Sequence, residues 1–213
     1  MNMKKSEITI LGIILLSFII SIYFYPQIPE RIVSHWNAQG QVNGYMSKFW
    51  GLFLMPFVFV GLALLFSIIP KIDPLKANIE KFRKYYDGFI ILFFIFMLSI
   101  HLQVILWNIG IKISSNVILP IGIGILFFYV GILCENIKRN WFIGIRTPWT
   151  LSNDMVWEKT HKIGGKLFKI AGIVTILGIF FQKYILFFIF VPIILVVVYT
   201  TIYSYTEYQK EIK

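Results

Sequence analysis

Of the 213 residues, 58% are hydrophobic and 14% are charged, well below the roughly 25% charged residues of an ordinary soluble domain. Several apolar runs reach the ~18–20 residues that cross a bilayer core as helix, which excludes a soluble globular protein. The net charge of +10 would suit nucleic acid only if the cations formed a patch for it. Their positions fit a membrane surface instead, and no direct nucleic-acid binding is expected. The single cysteine, Cys134, excludes an intrachain disulfide and a Cys-based metal cluster, and reads as a buried or interfacial thiol.

Lys4 and Lys5 precede a first apolar stretch, residues 8–25, in the manner of a secretory signal. That stretch ends in Ile22-Tyr23-Phe24-Tyr25-Pro26, without the small residues of a cleavage site, so it is expected to stay as a first span. Five more follow at about 50–69, 88–108, 116–134, 166–182 and 184–203. Backbone polar groups in lipid must satisfy one another, so each is expected to be a helix. The fold class is an all-α integral membrane protein with six transmembrane helices. We read 1–213 as a single polytopic domain, with an amino-terminal part of about 1–70 holding an outer loop at 26–49. A carboxy-terminal part of about 88–213 holds an inner loop at 135–165. The last two spans, parted by little more than Gln182-Lys183, should form a tight antiparallel hairpin.

Orientation follows from Lys and Arg. The amino-terminal tail, residues 70–87, residues 135–169 and the carboxy-terminal tail carry two, five, seven and two of the 20 cations. The alternate loops carry only Arg31, Lys48, Lys112 and Lys183. This places both termini in the cytoplasm and the protein in the cell membrane. All six Trp sit at span ends or in loops, where an amphipathic ring is stable at the interface: Trp36, Trp50 and Trp107 outside, Trp141, Trp149 and Trp157 inside.

The apolar spans hold no Asp or Glu, which argues against an ion-coupled carrier. His101, with Gln103 close by, is the ionisable group deepest in a span. It is a functional candidate by position, or a neutral ring bonded to a neighbouring helix. Pro120 is expected in a first helical turn, whereas Pro56 and Pro192 lie deeper and should kink their helices. Ser17/Ser21 and Ala171/Thr175 place small residues four apart, as close helix packing requires.

In the outer loop, Arg31–Trp36 alternates as a short strand would, and Gln39-Gly40 and Asn43-Gly44 are turn signals, so a small hairpin or tight loop is expected. His35, Trp36, Asn37, Gly40, Gly44 and Lys48 are its candidate recognition residues. One His without acidic or Cys partners is not a metal site, and there is no nucleophile–base pair. The loop is either a cap on the bundle or a recognition surface. In the inner loop, Pro148 is expected to exclude helix and to hold Thr147 extended. Ser152 is the expected N-cap of a short amphipathic helix, bent or ended at Gly164-Gly165. Arg146, in this irregular segment, is expected to clamp a lipid phosphate, pair with Asp154 or Glu158, or cap helix carbonyls.

The run N-W-F-I-G-I-R-T-P-W-T-L-S, continued by W-E-K-T-H-K-I-G-G, resembles the SdpI family of bacterial membrane proteins. The stretch P-E-R-I-V-S-H-W-N-A-Q-G-Q-V-N-G-Y-M-S-K resembles the domain of unknown function common in the amino-terminal half of such proteins. The resemblance implies immunity to a secreted, membrane-active toxin peptide met at the outer face, with membrane lipids around it. It also implies signalling by holding a cytosolic repressor at the membrane. It brings no catalytic residues, cofactor or metal. The matching inner positions are 144–151, Trp157 and His161, and we take Gly144, Arg146, Thr147, Pro148, Trp149, Trp157 and His161 as candidate partner or lipid contacts. The competing reading is a small multispan transporter, exporter or lipid-interacting protein without a toxin. An enzyme is disfavoured, since no paired carboxylates, HExxH or Ser–His or Cys–His set is evident.

Overall fold

Each apolar stretch forms a helix, as hydrocarbon demands. A computed structural model describes residues 5–212; Lys4 and Lys213, which contribute to the charge asymmetry, lie outside the described residues. The helices are α1 (Lys5–Phe24), α2 (Lys48–Ile72), α3 (Lys76–Lys81), α4 (Arg83–Asn108), α5 (Ser115–Asn136), α6 (Pro148–Ser152), α7 (Asp154–Leu177) and α8 (Ile185–Glu211). Six of them are long and apolar enough to cross a membrane; α3 and α6 are single short pieces. Between α1 and α2, strands β1 (Arg31–Trp36) and β2 (Val42–Ser47) pair as an antiparallel hairpin.

Polar contacts define two ends of the bundle. At one end Ser6 Oγ donates to Asp87 at 2.9 Å, joining the starts of α1 and α4. At the same end Lys159 bridges the start of α7 to Glu207 and Glu211 of α8 at 3.0 and 3.1 Å. The hairpin occupies the opposite end, against the last turn of α4. The helices overrun their apolar stretches at the charged end, so Asp87, Glu135 and Glu207 belong to helices although the apolar spans lack acids.

The two halves pack differently. Around α1, α2 and α4 the core is aromatic, with Phe59, Phe82 and Phe94 fully buried and Phe59 edge-on to Phe94 at 5.5 Å. Between α5 and α7 it is glycine. A Cβ on Gly124 would lie 2.6 Å from Gly172 O, and one on Gly172 would strike Gly124 O. Seven residues along each helix the contact repeats: a Cβ on Gly131 would lie 2.5 Å from Gly165 O, and one on Gly165 would lie 2.8 Å from Gly131 O. A seven-residue step returns to the same helix face, so two reciprocal glycine pairs bring the backbones together. The expected small-residue sites are also buried: Ser17, Ser21, Ala171 and Thr175.

Several local expectations are corrected. Pro120 sits in the second turn of α5, not the first, because the helix begins at Ser115 under an Ser114 N-cap. Gly164-Gly165 neither ends nor bends off a separate surface helix. The expected amphipathic segment is the first part of α7, which runs unbroken to Leu177, because these glycines are packing sites rather than a stop. The α7–α8 connection is the expected tight one, made of two single 3-10 turns at Gly178–Phe180 and Gln182–Tyr184.

Candidate functional site

At the charged end, residues 136–153 form an elbow between α5 and α7. Asn140, fully buried, is its hub: Oδ1 accepts from the amides of Phe142 and Ile143 at 3.0 and 2.6 Å, and Nδ2 donates to the carbonyls of Lys138 and Ile143 at 2.9 Å. Asp73 accepts from Trp141 N at 2.8 Å, and Asn78 donates to Arg139 O at 2.9 Å. These bonds pin the elbow to the α2–α3 connection.

His161 reaches the elbow from α7. The Trp157 carbonyl, 2.8 Å away, can only accept, so Nδ1 carries the proton; Ile145 N, 2.9 Å from Nε2, can only donate, so Nε2 offers its lone pair. The ring is therefore neutral and fully satisfied, and a second proton would evict the Ile145 amide. It stacks on Trp157 at 4.0 Å, and Trp157 Nε1 donates to Ile137 O at 3.3 Å. Gly144 faces the ring with φ of +114°, and a Cβ there would lie 2.5 Å from Nε2. Both the left-handed backbone and the close approach demand glycine.

Pro148 was expected to exclude helix, yet it opens α6. At the first helical position the missing N–H costs nothing. Thr147 is extended as expected and caps α6, exchanging bonds with Thr150 in a capping box. Its hydroxyl also donates to Ser204 of α8 at 3.0 Å. Ser152, expected as the N-cap of the following helix, instead closes α6 and bonds back to Pro148 O at 2.9 Å; Asn153 caps α7, accepting from Met155 N and Val156 N. Trp149 packs on Tyr205 at 5.1 Å. Arg146 is exposed and donates to the loop carbonyl of Trp141 at 2.7 Å. Of its two expected acids, Asp154 is held by Arg139 at 2.8 Å, because Arg139 already reaches across to the Leu151 carbonyl, and Glu158 forms no ion pair with Arg146 among the described residues.

At the other end the hairpin turns at Asn37–Gln41, around the expected Gln39-Gly40 signal and not at Asn43-Gly44. Asn37 Oδ1 accepts from Gln39 N and Gln41 N at 3.0 and 2.9 Å, and Gly40 takes φ of +74°. Gly44 instead lies opposite His35 at a register irregularity, where a Cβ would come within 2.7 Å of His35 Cβ. His35 Nδ1 donates to Asn43 Oδ1 at 2.6 Å. Trp36 meets Trp107 edge-on at 5.2 Å, and its buried Nε1 has no partner among the described residues. Lys48 pairs with Glu30 at 3.4 Å and lies over the Tyr25 ring at 4.6 Å. The amide of Asn108 on α4 serves the hairpin as a strand would, with Oδ1 accepting from Val33 N and Nδ2 donating to Val33 O, each at 2.9 Å. Asn116 of α5 donates to Ala38 O at 3.1 Å.

His101, buried within the span, meets Ser21 Oγ of α1 at 3.1 Å, and Ser21 donates to Leu52 O of α2 at 2.8 Å. Gln103 turns to the start of α5, donating to Ser115 Oγ. The two polar groups thus join different helices and form no common site. No three His, Cys, Asp or Glu among the described residues converge as metal ligands.

Sequence reading missed the residues that tether the loops: Asn108, Asn116, Asp73, Asn78, Arg139 and Asn140. For Asn108, Asn116 and Asp73 the signal was an amide or carboxylate at the boundary between apolar span and loop, a place where backbone groups lack partners.

The arrangement defines a class: a polytopic helical membrane protein whose two ordered loop clusters lie at opposite ends of one bundle. Residues 12–60 match the family model for a domain of unknown function (DUF1648), and residues 136–204 match that of the SdpI/YfhL protein family. The chain is 30% identical to the immunity protein SdpI of Bacillus subtilis (strain 168), over 98% of both chains. It belongs to the SdpI family. No solved structure matches it.

Proposed function

We propose that this protein confers immunity to a secreted, membrane-active toxin peptide met at the hairpin end, and signals by holding a cytosolic repressor at the elbow end. In this reading both termini and the elbow face the cytoplasm, as the distribution of Lys and Arg supports. The observation that carries it is the likeness to an immunity protein along 98% of the chain, spanning both loop clusters. The six site residues of the hairpin would contact toxin; at the elbow Gly144, Arg146, Pro148 and Trp149 reach the surface and would contact repressor, while the buried Thr147, Trp157 and His161 hold the loop in shape. Signal passes only if toxin binds two packings of the bundle unequally, by about 5.5 kcal/mol for a near-complete switch.

The test is a deletion strain, bare or carrying the gene, challenged with spent medium from sibling cells that secrete peptides. Survival restored by the gene, and lost with Trp36→Ala at unchanged membrane level, is the expected result. Equal killing of both strains by every such medium would overturn the reading.

A further inference from the structure

A cleft of about 620 Å³ opens at the charged end between α3, the last turn of α5 and the first turns of α7. That volume is in the range of small-molecule sites. Five cations line it, Lys81, Lys138, Arg139, Lys162 and Lys166, against the acids Glu135, Asp154 and Glu158. Internal pairing leaves the cleft more positive still. Asp154 is spent on Arg139, and Glu135 is held at 2.6 Å by Lys169, which is not a lining residue. Lys138, Lys162 and Lys166 have no anionic partner among the described residues, and Lys81 is bonded to the neutral Asn78 amide. Four uncompensated ammonium groups thus face one uncompensated carboxylate, Glu158.

The back wall has the opposite character. Cys134 and Ile137 line this cleft and also a second cavity of about 290 Å³, whose other walls include Phe66, Phe89, Leu133 and Phe142. A cationic cleft that backs onto an oily one matches an amphiphile with an anionic head and a hydrocarbon tail. Lysines bind phosphate as point charges, and the cleft lies where α5 and α7 pass from apolar to charged sequence.

We propose that this cleft is a specific site for a phosphate-bearing anionic membrane lipid, with its head against Lys138, Lys162 and Lys166 and a chain against the apolar cavity. A lipid seated there touches α3, α5 and α7 together. Those are the elements that carry the elbow, so occupancy would brace it. The site does not depend on toxin or repressor.

The purified full chain is exchanged into micelles holding equal phosphatidylglycerol and phosphatidylcholine, and retained lipid is read by native mass spectrometry. Phosphatidylglycerol should be enriched about tenfold or more over phosphatidylcholine. The triple variant Lys138→Gln, Lys162→Gln, Lys166→Gln should lose that preference; all three side chains are exposed, so folding is unaffected. A control triple, Lys71→Gln, Lys76→Gln, Lys84→Gln, removes equal charge from exposed positions outside the cleft and should keep it. No preference in the unaltered protein, or equal loss in both triples, would overturn the proposal. Glycerol 3-phosphate displacing the lipid at equal concentration would assign the cleft to a soluble anion and overturn the lipid occupant.

Discussion

The halves of the bundle are held together by opposite means. Around α1, α2 and α4, bulky rings such as Phe59, Phe66 and Phe94 fill the space between helices, and a ring can tilt to absorb a change. Between α5 and α7, Gly124, Gly131, Gly165 and Gly172 let backbone meet backbone, where nothing can tilt. Small residues at the contact are the usual device in lipid, where burial against hydrocarbon tails yields little drive for association and close approach supplies it. The elbow is carried on the rigid pair and the hairpin on the aromatic half. A change at the hairpin therefore meets adaptable packing first.

Glycine substitution is the sharpest way to break that contrast. Gly172→Ala places its Cβ against Gly124 O and 2.7 Å from Phe128 N, and should cost about 3 kcal/mol or more. Gly61→Ala in α2, with nothing within 4 Å, should be neutral or stabilise by up to about 1 kcal/mol through helix propensity. Thermal unfolding midpoints in one detergent compare them; equal shifts would mean the halves do not differ.

A smaller loss is expected at the elbow. His161→Ala orphans the Ile145 amide and removes the ring donor to the Trp157 carbonyl, at about 2 kcal/mol, and hydrogen exchange at Ile145 should accelerate well beyond that of its helical neighbours. Unchanged protection of Ile145 would show that the ring does not hold the elbow. In the aromatic half, Asn108→Ala frees both polar groups of Val33 at about 1 kcal/mol, raising protease sensitivity of the hairpin while the global midpoint barely moves. A midpoint shift as large as that of His161→Ala would mean the two loop clusters are equally integral to the bundle. Smallest is Arg146→Lys. Among the described residues its bond is to the carbonyl of the exposed Trp141, so stability should change by less than about 0.5 kcal/mol. Lost immunity at that unchanged stability would place the guanidinium in contact with a partner; a lost midpoint would make it structural.

Much was legible because lipid narrows the choices. Apolar runs of ~20 residues permit helix alone, and β1 was readable from the alternation over Arg31–Trp36. Local turn chemistry was less secure. Of the two turn signals, Gln39-Gly40 marks the actual turn, but Asn43-Gly44, the stronger pattern, does not, because the close approach of His35 claimed Gly44 for the strand. Gly164-Gly165 reads as a helix stop for the same reason: a glycine that permits a turn and a glycine that permits contact are the same residue until a neighbour is known.

Length, hydropathy and spacing by themselves determined that there are six helices long and apolar enough to cross a membrane, where the first four begin and end to within a turn or two, and which loops carry the motifs, since these depend on local solvation alone; the early start of α7 at Asp154 and the late end of α8 at Glu211 they did not give. Only the tertiary structure decided which glycines meet, that His161 is a neutral bracket for Ile145, that Arg139 rather than Arg146 takes Asp154, and that unpaired lysines from separate segments share one cleft. Those outcomes turn on distances between residues far apart in the chain, and no local periodicity encodes them.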